Sequence, residues 1–311
     1  MGLYDFTFYD LIVRNAASFG SRICWREVED GREVSFHQYK EQVDSLAGGL
    51  SKMGLEKGDR IGVVGRNSLE FFLVYGAAAC LGAIVVPINW RLSADEICFN
   101  LNDCTPKIGF FDAEFQEMLL TNREDLSTIR HFFNLADDSG SCTSFATLQK
   151  EEIATPAELV ADDGFVIIHT AAVAGRPRGA LVSHGNMVMA NLHMQNEMSI
   201  EESDVHLSLL PLFHVAGLFM AASVFHAGGQ NIDVRRFEAA AAAKLVEQCG
   251  VTIFFEFPPI LDSILQAAKE NGSDVSSLRA VIGLGTPEVI EAFQKMTGGD
   301  YYVMYGQTET S

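Results

Sequence analysis

Basic side chains are scarce in this sequence. Its 311 residues include 22 Lys and Arg against 41 Asp and Glu, a formal net charge of -19. Such a charge opposes unspecific attraction to nucleic acid or to an anionic membrane surface. No nucleic-acid partner is expected, and an anionic substrate needs a local basic patch. The six cysteines, at 24, 80, 98, 104, 142 and 249, include no CxxC pair and no spacing with a histidine pair that suits zinc. They read as reduced, mostly buried thiols of a cytoplasmic protein. A GxSxG elbow and a Cys–His nucleophile motif are also missing, so nothing points to a covalent intermediate on the protein. The opening MGLYDFTFYDLIVRNAASFG has no basic stretch ahead of an apolar run, which argues against a signal peptide. Phe6 stands where a myristoylation signal wants Ser or Thr.

Long hydrophobic runs are rare too. Phe71 to Ile88, FFLVYGAAACLGAIVVPI, is free of charge over 18 residues and reaches the lower length of a membrane span. Gly76, Gly82 and Pro87 interrupt it, and it parses as a buried helix, a glycine stop and the strand AIVVP. No membrane span is expected.

The composition is that of a globular protein, 48% apolar and long enough for about two compact units. Residues 4 to 18 carry a helical apolar rhythm, and Gln38 to Met53 places Val43, Leu46, Ala47 and Leu50 on one face before Gly54. DRIGVVG, a helix capped by Ser68, and AIVVPIN then follow as strand, helix, strand, and KIGFFD repeats the strand pattern. The stretch from about 136 to 163 is polar. After it FVIIHT, VHLSLLPLFH, VTIFFEF, RAVIGLG and DYYVMYG alternate with helical segments. The expected fold class is α/β, with two similar subdomains over 1–160 and 161–311, each a largely parallel β-sheet covered by helices.

HTAAVAGRPRG, residues 169 to 179, follows a strand and precedes a helix that begins near Ser183. A loop so placed holds phosphate through backbone N–H groups and the positive end of the helix. Gly175 and Gly179 allow close approach, and Arg176 and Arg178 add charge. The loop lacks the Lys-Ser or Lys-Thr of a GxxxxGK[ST] motif.

Three segments in order make the pattern specific: HTAAVAGRPRGALVSHGN, LPLFHVAGL and YGQTETS, joined by VVPINWRLSADEICFNLND, FEFPPILDSIL and SLRAVIGLG. From about residue 5 to its end the chain resembles the large N-terminal domain of the adenylate-forming superfamily, of the acyl-CoA synthetase type. Luciferase-like and peptide-synthetase adenylation domains share the motifs, but WRL after VVPIN and the YGQTETS segment look closer to acyl-CoA synthetases.

The resemblance implies an ATP-dependent, AMP-forming acid–CoA ligase acting on a fatty or aromatic carboxylic acid, with Mg²⁺ and with coenzyme A as co-substrate. By it Tyr305, beside Gly306, would stack on adenine, Thr308 would contact the α-phosphate, and Glu309 would hold the metal. Thr170, Gly175, Arg176, Arg178 and Gly179 would surround the phosphates, and Gly283 and Gly285 would wall the adenine. His214 would sit beside the reacting carboxylate. Phe213, Val215, Gly217, Leu218 and Phe257 would line the acid pocket.

Departures from the family pattern bring in a rival reading. Ala171, Val173 and Ala174 replace the loop's Ser and two Thr, and Ala172 its first Gly, removing three hydroxyl donors. The turn in GLGTPEV is shorter than usual. Only two residues follow Glu309, so the family's small C-terminal domain is expected to be absent and the isolated chain to lack full activity. The rival is a non-catalytic nucleotide- or acyl-binding module. Apolar surface left open by a missing domain makes a homodimer a further expectation.

Overall fold

The computed structural model describes residues 5–136, 139–150, 153–170 and 177–310. Helix α1 (Phe8–Phe19) begins later than its apolar rhythm, because Thr7 caps it: its hydroxyl accepts from the Asp10 N–H at 3.2 Å, and the Asp10 carboxylate accepts from the Thr7 N–H at 2.9 Å. Strands β1 (Ile23–Glu27) and β2 (Glu33–Ser35) lead into α2 (Phe36–Lys52), capped by Ser35 and Gln38 in the same way. Val43, Leu46, Ala47 and Leu50 are buried, as their spacing predicts. Then come β3 (Arg60–Val64), α3 (Leu69–Leu81) and β4 (Ile84–Pro87), with Gly82 ending the helix at φ 70°. The first half closes with α4 (Ala94–Cys104), β5 (Ile108–Phe111), α5 (Ala113–Thr121) and β6 (His131–Asn134).

After the polar stretch, β7 (Gly164–Thr170) is followed by β8 (Arg178–Ser183), α6 (His184–Met198), β9 (Val205–Ser208), α7 (Val215–Ala227) and β10 (Gln230–Asp233). The last part holds α8 (Ala239–Cys249), β11 (Ile253–Phe255), α9 (Ile260–Asn271), β12 (Ala280–Gly283), α10 (Pro287–Thr297) and β13 (Asp300–Val303).

The strands form two sheets, ordered β6-β5-β3-β4-β7-β8 and β13-β12-β11-β9-β10-β1-β2. All pairings are parallel except β7 with β8 and β1 with β2, so the expected α/β architecture stands. A division at residue 160 does not match the sheets. β7 and β8, beyond that point, complete the first sheet, while β1 and β2, before it, complete the second through the parallel pairing of Trp25 with Asn231. The polar stretch is a connection inside one sheet's chain, which composition cannot distinguish from a seam between sheets.

The uncharged run at 71–88 finds its reason here. Every residue of α3 is buried, because α2 and α1 pack against it together with β4 of one sheet and β1 of the other. Phe72 stacks on Trp25 with ring centroids 4.7 Å apart and meets Phe225 of α7 edge-on at 5.6 Å. Among the described residues no helix is long and apolar enough to cross a membrane.

Beyond this apolar layer, a polar contact ties the sheets where β5 and β10 end. Asp112 Oδ2 accepts from Arg235 Nη2 at 2.8 Å and from the Arg66 N–H at 2.7 Å. Burial raises the Asp112 carboxyl above its ordinary range, and Arg235 opposes that rise. Arg235→Leu removes the opposing charge, so the carboxyl moves higher and an unpaired charge remains buried at neutral pH. We expect a loss of about 3 kcal/mol in urea unfolding at pH 7. The deficit should shrink as pH falls toward 5 and the carboxyl protonates; a deficit that stays constant with pH would remove Asp112 as its source.

Candidate active site

The carboxyl ends of parallel strands from both sheets face a common crevice, the usual place for a ligand in an open α/β sheet. Two cavities lie there. The first, about 370 Å³, is walled by the first turns of α7 (Val215, Ala216, Phe219, Met220), by Phe255 and Phe257, and by Gly283 and Leu284. Ala190, His193 and Met194 of α6 and residues 304–307 complete it. The second, about 460 Å³, is more polar and is lined by Asn89, Asn100, His169, Thr170, Thr308 and Glu309 among others. His214, Val215, Gly306 and Gln307 belong to both and form their common wall.

His214 is the N-cap of α7. Its Nδ1 accepts from the Ala216 N–H at 3.2 Å, which assigns the ring proton to Nε2, and Phe257 meets the ring edge-on at 6.2 Å. Burial, and then the charge of Arg91, hold its pKa below the ordinary histidine value. The imidazole is therefore a neutral donor at neutral pH. Thr308 is buried on the turn Thr308–Thr310, and Glu309 beside it is exposed. Tyr305 is 92% exposed at the edge of the first cavity.

Several expected residues lie elsewhere. Gly217 and Leu218 line neither cavity, because α7 turns them away. Leu218 packs in the central core, and a Cβ on Gly217 would come within 2.2 Å of the Pro211 carbonyl oxygen. The cavity face of α7 is 215, 216, 219 and 220 instead, following the helical period. Phe213 lines the second cavity rather than the first, with Trp90 edge-on at 6.5 Å and the Arg91 guanidinium 5.7 Å from its centroid. Gly285 stands behind the wall: its N–H donates to the Tyr301 hydroxyl at 2.5 Å, which donates to Glu256 Oε1 at 2.6 Å. Glu256, buried in the run FFEFPP, was not singled out from sequence, although an acid inside an apolar strand end is the signal that marks it. Ala190, His193 and Met194 also went unnoticed; their i, i+3, i+4 spacing was visible, but not what it faces.

The loop after β7 needs a larger correction. Gly175 and Arg176 lie outside the described residues. Arg178 is exposed and sits opposite Thr170, and Gly179 opposite His169, because β8 pairs antiparallel with β7. The chain therefore returns along the sheet before any helix begins. The six residues of β8, about 20 Å of extended chain, separate the loop from α6. At that distant end Ser183 Oγ accepts from the Asn186 N–H at 3.2 Å, so the helix terminus is capped by its own residues. The dipole of α6 therefore does not act at Thr170 and Arg178, where the described chain enters and leaves the loop.

Gly283 ends β12 where a Cβ would come within 2.5 Å of the Glu256 carbonyl oxygen, whereas a Cβ on Gly306 would meet nothing within 4 Å. Gly283→Ala should thus cost about 1 to 3 kcal/mol in urea unfolding, and Gly306→Ala no more than about 0.5 kcal/mol. Equal effects would show that the wall yields freely.

Residues 12–311 match the protein family described as AMP-binding enzyme. Among solved structures, a putative long-chain-fatty-acid CoA ligase from Rhodopseudomonas palustris is 37% identical with a TM-score of 0.93, over 99% of this chain and 77% of that one. The N-terminal domain of FACL13 from Mycobacterium tuberculosis is 25% identical with a TM-score of 0.89, over 98% of this chain and 76% of that one. The indoleacetate–CoA ligase of Aromatoleum aromaticum is 28% identical over 284 residues, which are 90% of this chain and 56% of that protein. The chain thus spans about half the length of the curated relatives it matches. With the family matched across nearly the whole sequence, and two α/β sheets that open on one crevice, the chain belongs to the AMP-binding enzymes.

Proposed function

We propose that this chain is the nucleotide- and acid-binding part of an AMP-forming acid–CoA ligase for an apolar carboxylic acid, fatty or aromatic. The observation that carries the reading is the common wall of the two cavities, which puts an apolar pocket and a polar one side by side across His214, Val215 and Gly306. An acid whose body lies in the first cavity has its carboxylate at that wall, next to whatever occupies the second.

The residues of the second cavity fit a nucleotide and its cation. Thr308 and Thr170 offer hydroxyl donors and Glu309 a carboxylate suited to Mg²⁺, while Tyr305, at the edge of the adjoining first cavity, offers an open ring face to a base. ATP supplies the adenylyl group, and its pyrophosphate leaves when the acid's oxygen attacks the α-phosphorus; the thiol of coenzyme A then displaces AMP. The chain's own work is positioning. The Nε2–H of neutral His214 donates to a carboxylate oxygen and orients it, and Phe219, Phe255 and Phe257 exclude water from the acid's body. The relatives named for fatty and aryl acids support that substrate class.

The test is acid-dependent ATP–pyrophosphate exchange by the protein of the complete reading frame, with short, long and aromatic carboxylates. Exchange with one acid class is the expected result. AMP binding without exchange on any acid would favour the non-catalytic module. Two variants sharpen the reading. Tyr305→Ala should weaken AMP binding roughly tenfold, the value of one aromatic contact. Restoring hydroxyls together, Ala171→Ser, Val173→Thr and Ala174→Thr, should tighten ATP binding by tenfold or more, since each hydrogen bond to a charged group contributes about 1.5 to 3 kcal/mol. Unchanged ATP affinity would mean that those hydroxyls do not matter in this chain.

A further inference from the structure

We propose that Asp103, Cys104 and His169 form a binding site for a thiophilic divalent cation of the zinc class. Among the described residues this is the only place where three metal-ligating groups converge, with ligand atoms all within 4.8 Å of one another. Cys104 Sγ lies 3.9 Å from His169 Nε2, and the same nitrogen lies 3.5 Å from Asp103 Oδ2. Tetrahedral zinc, with bonds of about 2.3 Å to sulfur and about 2.0 to 2.2 Å to nitrogen and oxygen, holds such ligand atoms about 3.3 to 3.6 Å apart. The two measured gaps thus need to close by only a few tenths of an ångström or less. The Asp103 side chain, 47% exposed, is free to swing the remaining distance.

Other features favour a cation over a plain hydrogen-bonded cluster. Cys104 is the last residue of α4, where the helix presents the negative end of its dipole. The His169 side chain is only 5% exposed, and its Nε2 faces both the Cys104 sulfur and the Asp103 carboxylate. One sulfur, one nitrogen and one oxygen suit zinc and disfavour magnesium, which prefers oxygen alone. Ligation replaces the proton on the Cys104 sulfur, which passes to solvent.

The consequence is mechanical as well as electrostatic. A cation here ties the end of α4 to the end of β7, where the chain leaves for 171–177 and returns with Gly179 opposite His169. It also adds positive charge to the second cavity, which His169 lines.

Titration of the full chain with Co²⁺ tests the site. One equivalent should bind with a thiolate-to-cobalt charge-transfer band that zinc bleaches and millimolar Mg²⁺ leaves intact. Cys104→Ser should abolish the band and Cys142→Ser keep it, while His169→Gln and Asp103→Asn should each weaken binding tenfold or more. No band, or one that survives Cys104→Ser, overturns the proposal. Zinc K-edge absorption on the wild-type protein needs no variant: one sulfur in the shell is expected, and a shell of nitrogen and oxygen alone overturns it.

Discussion

The structure depends on one apolar layer caught between two sheets. α3 has no solvent-facing side because α2 and α1 cover it where β4 of one sheet and β1 of the other do not. Trp25, Phe72, Phe165 and Phe225 are essentially fully buried there, each worth about 1.5 to 3 kcal/mol relative to exposure. An aromatic layer of this kind tolerates little sliding, since close-packed rings resist relative motion. It therefore sets where the carboxyl ends of the two sheets meet, and with them the crevice.

Polar contacts adjust what the apolar layer sets. Asp112 and Arg235 join strand ends of different sheets, and Asn67 reaches across to the turn before α7, donating to the Leu210 carbonyl at 2.9 Å and accepting from the Leu212 N–H at 2.8 Å. Glu256 and Tyr301 brace the turn behind Gly283. Each of these groups is buried or nearly so, where an unmade hydrogen bond costs about 1 to 3 kcal/mol. The turn carrying His214 is thus held from both sheets.

The segment after β7 differs in kind from its surroundings. Its flanking strands form an antiparallel pair at the sheet edge, and the next helix starts a strand's length away. A strand's length thus separates Arg178 from the N-terminus of α6, whose dipole does not reach it. The groups at the base of this segment, His169 with Cys104, come from elements 65 residues apart.

Local features were legible in the sequence because they need only neighbours a few positions away. The cap at Ser68, the helix start near Ser183, the apolar face of α2, the glycine stop at 82 and the motifs around His214 and Thr308 are of this kind. So was the α/β class, which follows from strand and helix alternation with short connections. The short β8, the membership of β1 and β2 in the second sheet, and the face that α7 presents to the cavity were not, since each depends on a partner distant along the chain. The same holds for Asp112 with Arg235, 123 residues apart, and for the Asp103, Cys104 and His169 group, which no cysteine spacing could reveal. By itself the sequence determined most of the helices and strands, the glycine stop at 82 and the family motifs. Tertiary structure alone decided which side chains share a cavity, because burial and hydrogen-bond partners are properties of distance in space, and the two sheets exchange strands across the length of the chain.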